Sequence, residues 1–349
     1  MNILNLIPSG RKLEYELLDN AGKTILSGQL NGIMDDSKVR ARIVEIVGVM
    51  QQQNASIAGI TVAVPFGGKI FTEGVIAGKE ELDKLGLLAA QAPMHVPMTR
   101  HLIMRLQEIL PDTPIIMLFD TAFFADLPVR ESSYAISAEL ASLLDVRRCG
   151  YHGLYHRYAT RETSAVLRKH DIPGRRILSI CLERQPEIAA VNNGHPCYVT
   201  SGATPLEGLP GETACGEIDP SIVTALVRAK GWGPEKINNI LTRESGILGL
   251  TGKKISYDEL FAGSVPEYRL ATDLIKYRIL LACGAGIAAM GGLDAIVFSG
   301  RYAALGEQIG DYLQSRLFIP NIIYHCCNRS KFRIMAEYGI KILLQAGKP

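Results

Sequence analysis

The stretch "NILNLIPSGRKLEYELLDNAGKTILSGQL", Asn2 to Leu30, decides how the rest of the chain is read. It contains three short runs suited to a pleated surface: "NILNLI", "LEYELLD" and "TILSGQL". Turn signals separate them, first Pro8-Ser9-Gly10 and then Asp19-Asn20-Ala21-Gly22. Three strands joined this way form a meander. The period then changes. In "DSKVRARIVEIVGVMQQQ", Val39, Ile43, Ile46 and Val47 share one helical face. A buried-type strand, "SIAGITVAV", follows.

The same order returns from Arg176, with strands "RILSICL", "EIAAVNN" and "HPCYVTS" and the turn "NNGHP" before the last. Helical segments are predicted at Asp219 to Lys230, Pro234 to Leu241 and Glu267 to Met290, then a strand in "LDAIVFS". Two copies of a meander feeding helix–strand units imply an internally duplicated α/β protein, with two lobes facing each other across a cleft. The expected division is 1–124 plus about 330–349 for the first lobe and 125–329 for the second.

Composition narrows the function classes. The chain has 349 residues, 47% of them hydrophobic, enough for two cores. Its 37 basic and 35 acidic residues leave a net charge of +2, against a nucleic-acid footprint. The N-terminal "MNILNLIPSGRK" reads as a first strand rather than a signal peptide. The longest uncharged run, Ile279 to Leu293, is too short to span a bilayer. Seven dispersed cysteines do not make a disulfide framework, so a cytoplasmic protein is expected, with neither nucleic acid nor membrane as a partner.

Candidate chemistry begins with Asp120, which ends the apolar run "PIIMLFD". A carboxylate at the end of a strand is a common catalytic position in open α/β sheets, although it can equally cap a turn. In "YHGLYHRYA", His152 and His156 have a metal-ligand spacing if helical, but Gly153 argues against a regular helix and no third ligand is evident nearby. The adjacent Cys326 and Cys327 read as buried thiols. Gly284 and Gly286 read as close-packing positions in a helix; no P-loop, dinucleotide fingerprint or nucleophile elbow occurs. "TPLEGLPGETACGEIDP", Thr204 to Pro220, is a stiff, glycine-containing loop with four acids and no cation.

These residues carry a resemblance. "FDTAF", "YHGLYHRYA", "TPLEGL", "GEIDP", "SGILGLTG" and "AAMGGLDAIVFSG", with "GGKIFTEGVI" and "QAPMHVP", resemble the acetate kinase (acetokinase) family in this order over nearly the whole chain. The resemblance implies a duplicated actin-like, ribonuclease-H-like fold of the acetate and sugar kinase superfamily, and a homodimer made mainly through the second lobe. It also implies γ-phosphoryl transfer from Mg-ATP to a small carboxylate, where positioning and cationic neutralisation dominate.

The family's aspartate falls on Asp120, its phosphate-contacting histidine on His152 and its substrate-side histidine on His95. The apolar substrate pocket falls on Pro65, Met94, Tyr151 and Pro205. Other positions are replaced. The first-loop asparagine falls on Ile7, and the two arginines fall on Ala63 and Ala214. The second-lobe phosphate loop reads "CLERQ" (Cys181 to Gln185) and the nucleotide loop "GRYAAL" (Gly300 to Leu305). No acid lies between Ile319 and Glu337, where the magnesium glutamate belongs.

One electrostatic donor aimed at a transition state contributes about 3–4 kcal/mol, so losing several should abolish the ordinary reaction. Arg11, Lys12, Arg184 and Arg301 could supply relocated charge, Arg184 and Arg301 most directly as an anion site. The expectation is an acetokinase-family protein without phosphotransfer, needing no metal or cofactor and binding a small anionic ligand or a protein partner. The alternatives are a divergent carboxylate kinase using Mg-ATP, and a different enzyme using Cys181, Cys215, Cys326 and the arginines.

Overall fold

The computed structural model describes residues 1–10, 12–52, 55–172, 174–263, 265–320 and 322–347; Arg11 lies outside them. The chain divides into two compact units, Met1–Ala125 with Arg329–Pro349, and Asp126–Asn328.

In the first unit the predicted meander forms β1 (Asn2–Ser9), β2 (Lys12–Leu18) and β3 (Thr24–Asn31). β4 (Ile57–Val64), β5 (Val75–Ile76) and β6 (Ile115–Phe119) complete a sheet of order β3-β2-β1-β4-β6-β5. β1 runs antiparallel to β2 and parallel to β4, and β4 runs parallel to β6. The helix Asp36–Gln52 buries Val39, Ile43, Ile46 and Met50, the stripe its period requires. Val47 of that stripe is only partly buried against the core. Each wholly buried Leu or Ile contributes about 2 kcal/mol through removal of apolar area from water.

The C-terminal helix Lys331–Gln345 returns to this sheet and buries Ile334, Met335 and Leu343. Gly339 makes the approach possible, because a Cβ there would stand 2.4 Å from Thr61 Cγ2. Beneath it, Thr61 donates to Asn5 Oδ1 at 2.6 Å and Asn5 donates to the carbonyls of Ile3 and Glu16, so this buried polar pair is satisfied.

The second unit repeats the plan. β7 (Arg176–Cys181), β8 (Glu187–Asn192) and β9 (His195–Val199) form the meander, and β10 (Ala295–Ser299) and β11 (Ile323–Cys326) extend it. The order β11-β10-β7-β8-β9 matches β6-β4-β1-β2-β3 of the first sheet, with the same parallel and antiparallel pairings. The long helix Arg269–Met290 packs on it through Ile275, Ile279 and Cys283. Gly286 serves the expected close packing, since its Cβ would meet Leu178 Cδ2 at 2.7 Å. Gly284 does not: a Cβ there meets nothing within 4 Å.

Among the described residues, no helix is long and apolar enough to cross a membrane.

Candidate functional site

In the first unit, the adjacent parallel strands β4 and β6 bring their C-terminal ends together, with Val64 opposite Phe119. Asp120 follows β6 directly and opens a short 3-10 turn, Asp120–Phe124, as its place after an apolar run predicts. The loop after β4 is tied to this turn by Gly67 N–H donating to Thr121 Oγ1 at 2.9 Å. Gly67 has no room for a side chain, because Phe119 and Phe71 stack with centroids 4.3 Å apart beside it. Asp120, Pro65 and Ala63 are thereby brought together.

Asp120 is 3% exposed. Its Oδ2 lies 2.6 Å from Lys331 Nζ, while Oδ1 is buried without a hydrogen-bond partner among the described residues. Ala63 is buried within β4 and Ile7 is half-buried in β1. His95 precedes the helix Val96–Ile109; burial pushes its pKa down, and its Nδ1 has no hydrogen-bond partner among the described residues. Met94, assigned to the apolar pocket, is 61% exposed.

In the second unit, a regular helix does begin at Gly153, running to Lys169, because the cost of glycine applies to a helix interior and Gly153 is the first residue. His152 therefore lies just outside the helix and His156 within it, and their rings meet different partners. Between them stands Glu187, the first residue of β8 and wholly buried. It accepts the backbone N–H groups of Tyr151 at 2.8 Å and His152 at 3.0 Å, a carboxylate at a helix N-terminus. His156 Nε2 lies 3.2 Å from the same carboxylate and its Nδ1 2.8 Å from Ser179 Oγ. Burial acts to raise the Glu187 pKa, but hydrogen bonding to His156 and the fields of His152 and His156 outweigh it, down to about 2. The sequence reading found no third group beside these histidines; Glu187, 31 residues beyond His156, is that group. Its signal is an acid in the first position of a strand, directly before the apolar run Ile188 to Val191.

His152 Nε2 lies 2.8 Å from the Gln185 carbonyl, so that nitrogen carries the proton and donates inward. The loop Leu182–Gln185 is held on both sides. Gln185 Nε2 donates to Leu209 O, Glu212 N–H to Arg184 O, and Tyr302 N–H to Leu182 O. Arg301 N–H donates to Glu183 Oε1 at 2.8 Å, and Arg301 Nε lies 3.7 Å from Glu183 Oε2. Arg184 Nε lies 3.8 Å from Glu212 Oε2. Both candidate anion-binding arginines thus face acids of their own chain.

Three acids of the loop Thr204 to Pro220 also have donors from their own chain. Glu212 accepts the Tyr302 hydroxyl and Glu207 accepts those of Tyr134 and Arg148's guanidinium. Asp219 caps the helix Pro220–Lys230 through Ser221 N–H at 2.8 Å. Ala214 is buried, and Gly246, at φ +59°, fits under it only without a side chain, as its Cβ would stand 2.6 Å from Ala214 O. Tyr151 is half-buried with its hydroxyl on Ala203 O, and Pro205 is exposed.

The described thiols differ in exposure. Cys181 is buried, whereas Cys326 is exposed rather than buried as expected, because it ends an edge strand. Partial burial raises the pKa of Cys215, away from the thiolate form. Among the described residues, no three His, Cys, Asp or Glu side chains are grouped to hold a metal.

A model of the acetokinase family matches residues 22–312. The chain belongs to the acetokinase family. An acetate kinase of Clostridium botulinum is 30% identical over 88% of this chain and 84% of its own length. One from Fervidobacterium nodosum is 39% identical over 70% of this chain but only 60% of its own length. Among solved structures, a Porphyromonas gingivalis acetate kinase superposes with a TM-score of 0.86 at 23% identity, covering 98% of this chain and 99% of that one. A Francisella tularensis propionate kinase gives 0.86 at 23% identity, covering 97% and 98%. The acetokinase scaffold, an α/β fold of two related units, is therefore the scaffold of this chain. On it, Asp120, His95 and His152 stand at positions the resemblance assigns to chemistry, and Ile7, Ala63 and Ala214 at positions it assigns to polar or cationic side chains.

Proposed function

We propose that this acetokinase-family protein has lost ordinary phosphotransfer from Mg-ATP to a carboxylate and uses the inherited scaffold to bind a small ligand or a protein partner. One observation carries the reading: Glu183 places a carboxylate on the Arg301 N–H, in the loop that resembles the nucleotide loop. Backbone N–H groups cradle phosphate only if they are free to donate. A resident carboxylate at that loop repels an incoming phosphate and takes one of its donors. The buried alanines at positions 63 and 214 supply no guanidinium to offset this. A homodimer located in the cytoplasm belongs to the same proposal, and light scattering of the purified chain tests the dimer.

The second reading is a working carboxylate kinase that uses Mg-ATP. The comparisons by themselves favour it, because the relatives at 30–39% identity are named acetate kinases and His95, Asp120 and His152 are kept. A hydroxamate assay with acetate, propionate and butyrate separates the two. The first reading expects no acyl phosphate and no thermal shift with Mg-ATP. Turnover that Asp120→Asn abolishes would establish the second.

A further inference from the structure

The resemblance implies a magnesium ion that a glutamate helps to hold, in a reaction that also uses the retained aspartate. The residues around Asp120 do not fit one. Lys331 Nζ lies 2.6 Å from Asp120 Oδ2, and the two side chains are 16% and 5% exposed. No other acid joins Asp120 in a metal-binding group among the described residues.

The position of the lysine is informative. Lys331 is the first residue of the helix Lys331–Gln345, which has no acid in its first turn. Helix N-termini carry partial positive charge and disfavour cations. Ser330 already caps this end by accepting Arg333 N–H at 3.3 Å. A lysine there weakens the local helix, and the interaction that offsets this is the ion pair with Asp120. A tethered ammonium also competes with any free cation at the effective concentration set by its short stem.

We propose that Lys331 is a resident counter-ion, standing where a divalent cation would otherwise meet Asp120, so that this carboxylate binds no metal. The inference deepens the proposed loss of phosphotransfer and rests on that reading. Its test contains no nucleotide and no acyl substrate, so its failure appears in metal binding and not in turnover.

The experiment is Mn²⁺ titration of the full chain, followed by electron paramagnetic resonance and by melting temperature, with wild type, Asp120→Asn, Lys331→Glu and Lys331→Glu/Asp120→Asn. Wild type is expected to show no Mn²⁺ site that Asp120→Asn removes. Lys331→Glu sets two carboxylates side by side, oxygen ligands that suit Mn²⁺. It is expected to gain a saturable site and a Mn²⁺-dependent rise in melting temperature, both lost in the double variant. A wild-type Mn²⁺ site abolished by Asp120→Asn overturns the proposal, as does a folded Lys331→Glu protein without Mn²⁺ binding. Should Lys331→Glu not fold, the comparison of wild type with Asp120→Asn still decides. A further readout is coupling: Lys331→Met is expected to lower the melting temperature and Lys331→Met/Asp120→Asn to restore most of it. Equal losses in single and double variants would also overturn the assignment.

Discussion

Asp120 in the first unit and Glu187 in the second are both nearly wholly buried, 3% and 0% exposed, and both lie beside the end of a central strand. Their charges are met by different means. Asp120 depends on one long side chain reaching from a helix 211 residues away. Glu187 is held by two backbone N–H groups and the imidazole of His156. A side-chain partner can be exchanged by one substitution. Backbone donors at a helix start exist for as long as the helix does. The second arrangement makes the carboxylate part of the scaffold, and the first leaves it as a charge whose partner can be rewritten.

The strongest way to break this comparison is Glu187→Ala. It leaves two N–H groups and His156 without their acceptor in a site closed to water. We expect a loss of roughly 3–5 kcal/mol in urea unfolding. A loss no larger than that of Lys331→Met would show that Glu187 is not the more deeply embedded of the two. The acid limb of stability tests the same point. With a folded pKa of about 2 against an ordinary 4.5, Glu187 stabilises the fold fully above pH 4.5. That contribution, about 3 kcal/mol, disappears as pH falls from 4.5 through 2. The Glu187→Ala protein should lack this part of the acid transition, as circular dichroism at a series of pH values would reveal.

Lys331→Met ranks next. It takes one donor from the Asp120 carboxylate, whereas Glu187→Ala leaves three groups without their acceptor, so the expected loss is smaller, about 2–3 kcal/mol. Tyr302→Phe should lower stability by about 1–2 kcal/mol, because Glu212 loses a donor at a half-buried site. A neutral outcome there would mean that water replaces the hydroxyl, and that the loop cluster is less closed than its hydrogen bonds imply.

Much of the architecture was legible because it repeats. The two meanders, their turn signals and the helix stripe at Val39, Ile43 and Ile46 are local patterns, and each falls where its period puts it. Asp120 was legible for the same reason, as a polar residue closing an apolar strand. Its partner was not. Lys331 sits in a basic segment, Asn328 to Arg333, that reads as a solvated turn, and only the return of the C-terminal helix to the first sheet brings it to the carboxylate. The same holds for Glu183, Glu187 and Glu212. Each looks like an ordinary loop or strand acid until long-range pairing sets it against Arg301, His156 or Tyr302. The clue available in the sequence was a misfit of position: a lysine opening a helix, and a glutamate opening a buried strand.

The smallest effects concern the two arginines. Arg184 Nε and Arg301 Nε lie 3.8 and 3.7 Å from their acids, and their side chains are 65% and 45% exposed. Water screens such pairs, so Arg184→Ala and Arg301→Ala should each change stability by no more than about 0.5 kcal/mol. Glu183→Gln is the informative companion. The amide oxygen can still accept the Arg301 N–H, so the loop keeps its shape while its resident negative charge is removed. If that charge is what opposes phosphate, Glu183→Gln should bind inorganic phosphate or ADP more tightly than wild type in calorimetric titration, and Glu183→Gln/Arg301→Ala should lose the gain. Unchanged binding in Glu183→Gln would mean that the loop shape alone, set by Tyr302 and Gly300 against Leu182, excludes the anion.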